Sequence, residues 1–233
     1  MLSQVDCIGK EINKSIADFS REIHWISAGH DESKQPLLQI IVRRLATYEH
    51  NTNPSSNGES IFDNYFPTSI KTRPMTEYIL HNSWYRPRDI IRLLTLAQNV
   101  SNEQEKFTEK NFLDIRKEYS KLSWDELSEE LLASLGVKVL KAIPILFQGG
   151  PSEFDMQSLM QHINAKRELY PEVDDIFKYH KIQYLLTKLY TLGIIGNIKP
   201  NGGVRLAFRG DLNLQLEYKM FIHYGLRNFF ETT

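Results

Sequence analysis

The stretch that decides the fold is DDIFKYHKIQYLLTKLYTLGIIGNIKPNGGVRLAFR, residues 174–209. Apolar residues recur there at i, i+3, i+4 and i+7, which predicts one long helix over 174–192 with Gly193 just past its end. These apolar positions are Ile182, Leu185, Leu186 and Leu189. Two short runs, 194–199 and 204–209, flank Pro-Asn-Gly-Gly and predict a β-hairpin.

The segments before this stretch set the order of the elements. Short helices are predicted over 137–147 and 154–164, on either side of a Gly-Gly-Pro-Ser turn. Pro144 is expected to kink or end the first of them. Helix, short helix, long helix and hairpin is the order of a winged helix. We therefore expect residues 101–233 to form a winged-helix domain with a short β-hairpin wing and C-terminal helices.

The first hundred residues are predicted to form a separate helical domain. Apolar stripes at helical spacing indicate helices over 8–23, 37–48, 75–81 and 88–98. The polar stretch 49–60 is predicted to be a surface loop, and the polar residues 99–105 mark the boundary between domains 1–100 and 101–233. In the helix over 88–98, the expected buried positions are Ile90, Ile91, Leu94 and Ala97.

Two helices are predicted just after that boundary. One covers 108–119, and Ser123 and Glu126 form an S-x-x-E capping box that should open the next. Gly136 is expected to interrupt this second helix. The fold class is accordingly mainly α.

The composition argues against a membrane protein, a secreted disulfide-rich protein and a strongly basic nucleic-acid-binding protein. Lys plus Arg number 28 and Asp plus Glu number 29, so attraction to nucleic acid or acidic membranes would have to come from a local patch. The longest apolar runs are far shorter than the roughly 20 residues of a membrane span, and residues 1–20 lack the apolar core of a secretory signal. A single cysteine, Cys7, excludes an internal disulfide framework. The expected location is the cytoplasm.

The motifs of common enzymes are missing. The sequence contains no phosphate loop, nucleophile elbow, dinucleotide fingerprint or zinc-protease motif. His24 and His30 are six residues apart, which suits a metal poorly, so we expect no metal site. We predict that the chain is not an enzyme by itself. A hydrolase built from distant segments stays open as a third class of function.

A local basic patch is the first candidate site. Residues 161–210 hold eight cationic and four acidic residues, an excess of four positive charges. A basic helix beside a basic wing can hold phosphates while the helix enters the major groove. Docking of a protein partner, or a purely structural role, is the favoured explanation of the pattern. The candidate contact residues are Lys178, Lys181, Tyr184, Lys188, Lys199, Arg205 and Arg209.

The second candidate is Trp-Tyr-Arg-Pro-Arg-Asp-Ile-Ile at residues 84–91. Its Pro87 suits the first turn of a helix, and from spacing alone the two arginines are those of a solvated helix start. The segment resembles the R-P-R-D-(I/V)-(I/V) segment in the C-terminal part of a bacterial P-loop ATPase family related to AAA and STAND ATPases. Residues 36–44, 62–70 with 78–80, and 112–126 are similar to neighbouring parts of that family, so the likeness covers most of 35–230.

That resemblance implies a helical lid followed by a winged-helix-like domain. By resemblance, Arg86 or Arg88 would face nucleotide phosphates as a sensor arginine, a role suited to a planar and permanently charged group. The phosphate loop and the Mg²⁺-binding acid of the family are missing here. The resemblance therefore implies a non-catalytic regulatory or recognition module, with ATP as a cofactor only where an ATPase core supplies the site. Its partner would be such a core or another protein. The alternative is a stand-alone winged-helix regulator that binds double-stranded DNA.

Overall fold

The computed structural model describes residues 34–52, 61–101 and 104–232. This part of the chain is mainly helical with small antiparallel sheets, so the predicted fold class is confirmed. The helix predicted over 8–23 and the histidines at 24 and 30 lie outside the described residues.

Among the described residues, the N-terminal lobe contains five helices and a two-stranded sheet. Its helices are α1 (Pro36–Thr52), α2 (Ile61–Tyr65), α3 (Met75–Asn82), α4 (Pro87–Asn99) and α5 (Glu109–Asp114), and its strands are β1 (Ser69–Ile70) and β2 (Arg73–Pro74). Helix α1 continues four residues beyond the predicted end, into the loop predicted over 49–60, and residues 53–60 lie outside the described residues.

The C-terminal lobe begins with the longest helix and ends in a four-stranded sheet. Its helices are α6 (Arg116–Phe147), α7 (Met156–Leu169), α8 (Asp174–Tyr179) and α9 (Ile182–Thr191), and its strands are β3 (Glu153–Phe154), β4 (Ile195–Ile198), β5 (Val204–Arg205) and β6 (Lys219–Ile222). The sheet has the order β3-β6-β4-β5, and every neighbouring pair is antiparallel. The predicted hairpin is β4 with β5, in the register Ile198 to Val204.

The long helix predicted over 174–192 is two helices. His180 has an extended backbone, with φ −141° and ψ 153°, and separates α8 from α9. In one straight helix, Ile176 would point roughly 130° away from the stripe centred on Leu185 and Leu186. The break turns α8, so that all three side chains are buried in the same cluster.

The predicted capping box at Ser123 is wrong. Ser123 lies inside α6 and is buried, and Glu126 pairs with arginines of α4. Capping boxes occur instead at Thr108, which opens α5, and at Asp155, which opens α7. Each uses a short polar side chain at N3, Asn or Ser, in place of the Glu that the motif requires.

The sequence predicts that Gly136 interrupts α6 and that Pro144 kinks or ends it, and the structure bears these two predictions out differently. Gly136 kinks the helix, with φ 75° and ψ 161°, as predicted. Pro144 does not end it, because the helix continues to Phe147.

Two clusters of buried side chains form the core. The first takes its members from residues 37–119, and the second from residues 124–230 together with Trp84. Helix α6 contributes Tyr119 to the first and Leu127, Leu131 and Leu135 to the second. The proposed domain boundary near residue 100 stays a prediction.

Candidate functional site

Helix α9 presents a basic and aromatic surface. Lys181, just before the helix, and Tyr184 are exposed, and Lys188 follows one turn later on the same side. The ammonium of Lys188 lies 5.3 Å from the centre of the Tyr184 ring, and that ring stacks on His180 with their centres 4.9 Å apart. We call Lys181, Tyr184 and Lys188 the α9 surface.

The other four predicted contact residues do not join that surface as one patch. Lys178 pairs with Asp175 at 3.1 Å, and Lys199 is half-buried in the hairpin turn. Arg205 pairs with Asp211 at 3.2 Å. Arg209 points between the lobes, where its guanidinium lies 4.5 Å over the Tyr85 ring and donates to the Tyr85 hydroxyl. These internal pairs reduce the positive charge that the wing offers to a ligand.

The two candidate sensor arginines face carboxylates of α6. Arg88 pairs with Glu126 and lies 3.8 Å from Glu130, and Arg86 lies 3.7 Å from the same Glu130 oxygen. Arg92, one turn further along α4, also pairs with Glu126. These contacts join α4 to α6. A phosphate approaching Arg88, whose side chain is 55% exposed, would compete with Glu130 for it, while the closer pair with Glu126 holds Arg88 against α6.

A buried carboxylate organises the turn in front of these arginines. The Asp89 side chain accepts a hydrogen bond from the Trp84 backbone N–H at 3.3 Å and lies 3.6 Å from Arg92. Burial raises the pKa of Asp89, while that hydrogen bond and the nearby arginines oppose the rise. The carboxyl therefore fixes the turn from inside the protein.

This turn sends two neighbouring aromatic side chains into different cores. Trp84 enters the second cluster and Tyr85 the first. Tyr85 has a φ of 51°, a left-handed conformation that costs a bulky residue about 1–3 kcal/mol. The indole N–H of Trp84 donates to the Gly193 carbonyl at 2.9 Å, so the turn anchors the N-terminal lobe beside the end of α9.

A buried histidine completes the contact between the lobes. The His223 ring stacks on Trp84 with their centres 4.0 Å apart, and its Nδ1 accepts a hydrogen bond from the Gly225 N–H. Burial, with the charges of His81 and three arginines, lowers the pKa of His223 well below the ordinary range. The ring is therefore neutral at pH 7.

The sequence does not predict that several of these residues belong to the site. Its pattern predicts that Glu126 caps a helix, and nothing in the local pattern indicates a role for Glu130 or His223. Their partners are distant in the chain, so a single sequence carries no signal for them.

One family corresponds to part of this structure. Residues 35–128 are similar to a FunZ-associated C-terminal helical domain. The match to this FunZ-associated domain covers α1 to α5 and the start of α6, including the arginines of α4 and Glu126. It spans fewer than half of the 233 residues. No curated protein and no solved structure matches the chain.

The described residues include neither a membrane-spanning helix nor a cluster of metal ligands. Within residues 34–52, 61–101 and 104–232, no helix is both long and apolar enough to span a bilayer. The same part of the chain holds no group of three or more His, Cys, Asp or Glu side chains placed to bind a metal ion.

Proposed function

We propose that this chain is a non-catalytic regulatory or recognition module that resembles the C-terminal part of a P-loop ATPase and acts through protein contacts in the cytoplasm. The carrying observation is the topology of residues 137–222, in which β6 lies between β3 and β4. The chain order is a helix, a strand, three helices and three strands, of which the first two strands form a hairpin. This order is the one expected of a winged helix, and it supports the proposal together with the helical lobe that precedes it. The similarity of that lobe to a C-terminal helical domain supports an accessory role.

The arginines of α4 suit contact with a separate nucleotide-binding core. Arg86 and Arg88 share Glu130, and both side chains remain partly exposed. A core that brings phosphate oxygens to Arg88 would replace its exposed contact with Glu130, while the closer pair with the less exposed Glu126 stays in place. A surface ion pair such as the one with Glu130 contributes only about 0–1 kcal/mol. Replacing Glu130 with a phosphate group as the partner of Arg88 therefore costs little free energy. ATP would be bound only where such a core is present.

The test begins with the size of the native product. An immunoblot of source cells, with antibodies against residues 101–233, would show a band well above 27 kDa if a core lies on the same chain. If the band lies at 27 kDa instead, cross-linking in cells followed by mass spectrometry should join the chain to a P-loop ATPase. A band at 27 kDa together with cross-links to proteins that all lack a phosphate loop would contradict the contact with an ATPase core, and a band at 27 kDa with no cross-linked protein would contradict the whole proposal.

The α9 surface favours a second candidate, a regulator that binds double-stranded DNA. Lysines contact phosphates and exposed aromatic groups pack against sugar or base edges, whereas the paired Arg205 and Arg209 contribute less. Two phosphate contacts would weaken binding by about tenfold between 50 and 200 mM salt.

Fluorescence anisotropy with a labelled duplex measures this salt dependence. The double variant K181E/K188E should lose about tenfold or more in affinity and flatten the salt slope. The matched control K110E/K121E makes the same charge change on exposed residues near the other lobe and should bind as the parent does. Equal affinity for the two double variants would exclude the α9 surface as the DNA contact.

A further inference from the structure

A small cavity lies where the two lobes meet. It encloses about 30 Å³ and is partly open to solvent, so small solutes can reach it. The N-terminal lobe lines it with His81 and Tyr85, and the C-terminal lobe lines it with Arg209, His223 and Tyr224. A solute in this cavity would therefore contact both lobes at once.

Two N–H groups of the lining residues have no acceptor among the described residues. The Nε of Arg209 is buried and has no hydrogen-bond partner. The Nδ1 of His223 accepts a hydrogen bond from the Gly225 N–H, so the proton of the neutral ring is on Nε2. His223 is 1% exposed, and its Nε2–H makes no hydrogen bond within residues 34–52, 61–101 and 104–232. Buried donors without acceptors are costly, so a hydrogen-bond acceptor is expected in this cavity.

The charges around the cavity favour a negatively charged acceptor. The four charged groups with the largest effect on the pKa of His223 are all cationic, and they are His81, Arg86, Arg209 and Arg227. The guanidinium of Arg209 contacts the ring and the hydroxyl of Tyr85, and the nearby Asp211 pairs with Arg205 instead. A water molecule would accept the hydrogen bonds, but only an anion would also offset this positive charge.

The size of the cavity restricts which anion can enter. A volume of about 30 Å³ holds about two water molecules or one monatomic ion, whereas a tetrahedral oxyanion such as phosphate needs more room. The rest of the wall is apolar and includes Leu80, Leu206 and Phe208. Apolar walls favour an ion that gives up its water easily, which among the common inorganic anions indicates chloride.

We propose that this cavity binds one chloride ion, held between the two lobes by the N–H groups of Arg209 and His223. The bound ion stabilises the contact of the lobes, because residues of both surround it. This goes beyond the proposed function, since it assigns an inorganic ligand to the contact between the lobes.

The chloride dependence of stability tests the proposal in the full chain. The unfolding equilibrium constant is measured in urea at neutral pH, in sodium chloride and in sodium gluconate of the same ionic strength, because gluconate is too large for the cavity. A ligand that binds only the folded state lowers that constant by a factor set by its concentration over its dissociation constant. At a chloride concentration about tenfold above the dissociation constant, we expect a decrease of about tenfold relative to gluconate.

Two arginine variants locate the effect. Arg209→Met removes the charge and the Nε–H, and Arg43→Met makes the same change at an exposed position of α1. The two salts are compared within each variant, so a loss of stability common to both salts does not enter. The chloride effect should fall below about twofold in Arg209→Met and stay at the parent value in Arg43→Met. An unchanged effect in Arg209→Met would overturn the proposal, and equal stability of the parent in the two salts would assign the cavity to water.

Locating the ion directly decides the question even if Arg209→Met does not fold. Crystals of the unchanged protein are soaked in bromide, which replaces chloride and scatters X-rays anomalously. We expect an anomalous peak within hydrogen-bond distance of Arg209 Nε and His223 Nε2. Crystals without that peak would refute the site. A peak in a protein whose stability does not respond to chloride would refute it as well, since it would show an adventitious ion only.

Discussion

Trp84 offers the sharpest test of how the two lobes are joined. Its side chain is 3% exposed, its indole N–H donates to the Gly193 carbonyl, and its ring stacks on His223. In Trp84→Phe the smaller ring would leave a void, which costs about 1–2 kcal/mol. The Gly193 carbonyl would also lose its donor, which costs about 1–3 kcal/mol for a buried group. We expect a total loss of about 2–5 kcal/mol in the free energy of unfolding.

The matched control is Trp124→Phe. Trp124 is also buried, at 6% exposure, and packs on Phe229 and Phe230, so the same change removes ring area of similar size. Urea unfolding followed by far-UV circular dichroism measures both variants without relying on tryptophan fluorescence. The control should lose only the packing part, about 1–2 kcal/mol. Equal losses in the two variants would refute the role given to the hydrogen bond between the lobes.

Three more predictions concern the same region. Gly193→Ala should lower the free energy of unfolding in urea by about 2–4 kcal/mol, because the added Cβ would lie 2.7 Å from the Phe208 ring and residue 193 has a φ of +69°. A loss below about 1 kcal/mol would show that the ring moves aside easily. The lowered pKa of His223 means that the unfolded chain takes up a proton below about pH 6.5 while the folded ring stays neutral. Stability should therefore fall by about 1 kcal/mol between pH 6.5 and 5.5 and by up to about 1.4 kcal/mol per pH unit at lower pH. His223→Gln should remove this part of the slope, and identical slopes would contradict the assignment. Glu126→Gln should cost about 1–2 kcal/mol, since Glu126 is only 20% exposed and pairs with two arginines, the part-buried Arg92 and the exposed Arg88. Lys110→Gln, in a solvated pair, should change stability by less than about 0.5 kcal/mol.

Periodicity predicted the helices and the hairpin but not the turns between packed elements. The pattern of α9 gave its buried face correctly, because Leu185, Leu186 and Leu189 all lie in the second cluster. The break before α9 carries no proline or glycine, so its cause is the packing of α8 rather than local chemistry. The face of α4 was misplaced at Ile91, because a stripe shows which side is apolar and not which part of that side is covered.

The candidate sites likewise differ in whether the sequence could predict them. The α9 surface could be predicted, since exposure on a short amphipathic helix follows from the position of its apolar stripe. The placement of Arg209 could not, because its partner Tyr85 is 124 residues away in sequence. The pairing of Arg88 with Glu126 and Glu130 likewise depends on how α4 crosses α6, which a single sequence does not encode in any local motif.

Helix α6 bears on how this protein can be dissected or recombined. The similarity to the FunZ-associated domain ends at residue 128, in the middle of that helix. A protein cut there would keep Tyr119 with the first cluster, and Trp124 and Leu127 of the second. It would lose Leu131, Leu135 and all later members of the second cluster. Recombination between related genes at a point inside α6 would therefore be destabilising, because both products would contain an incomplete core.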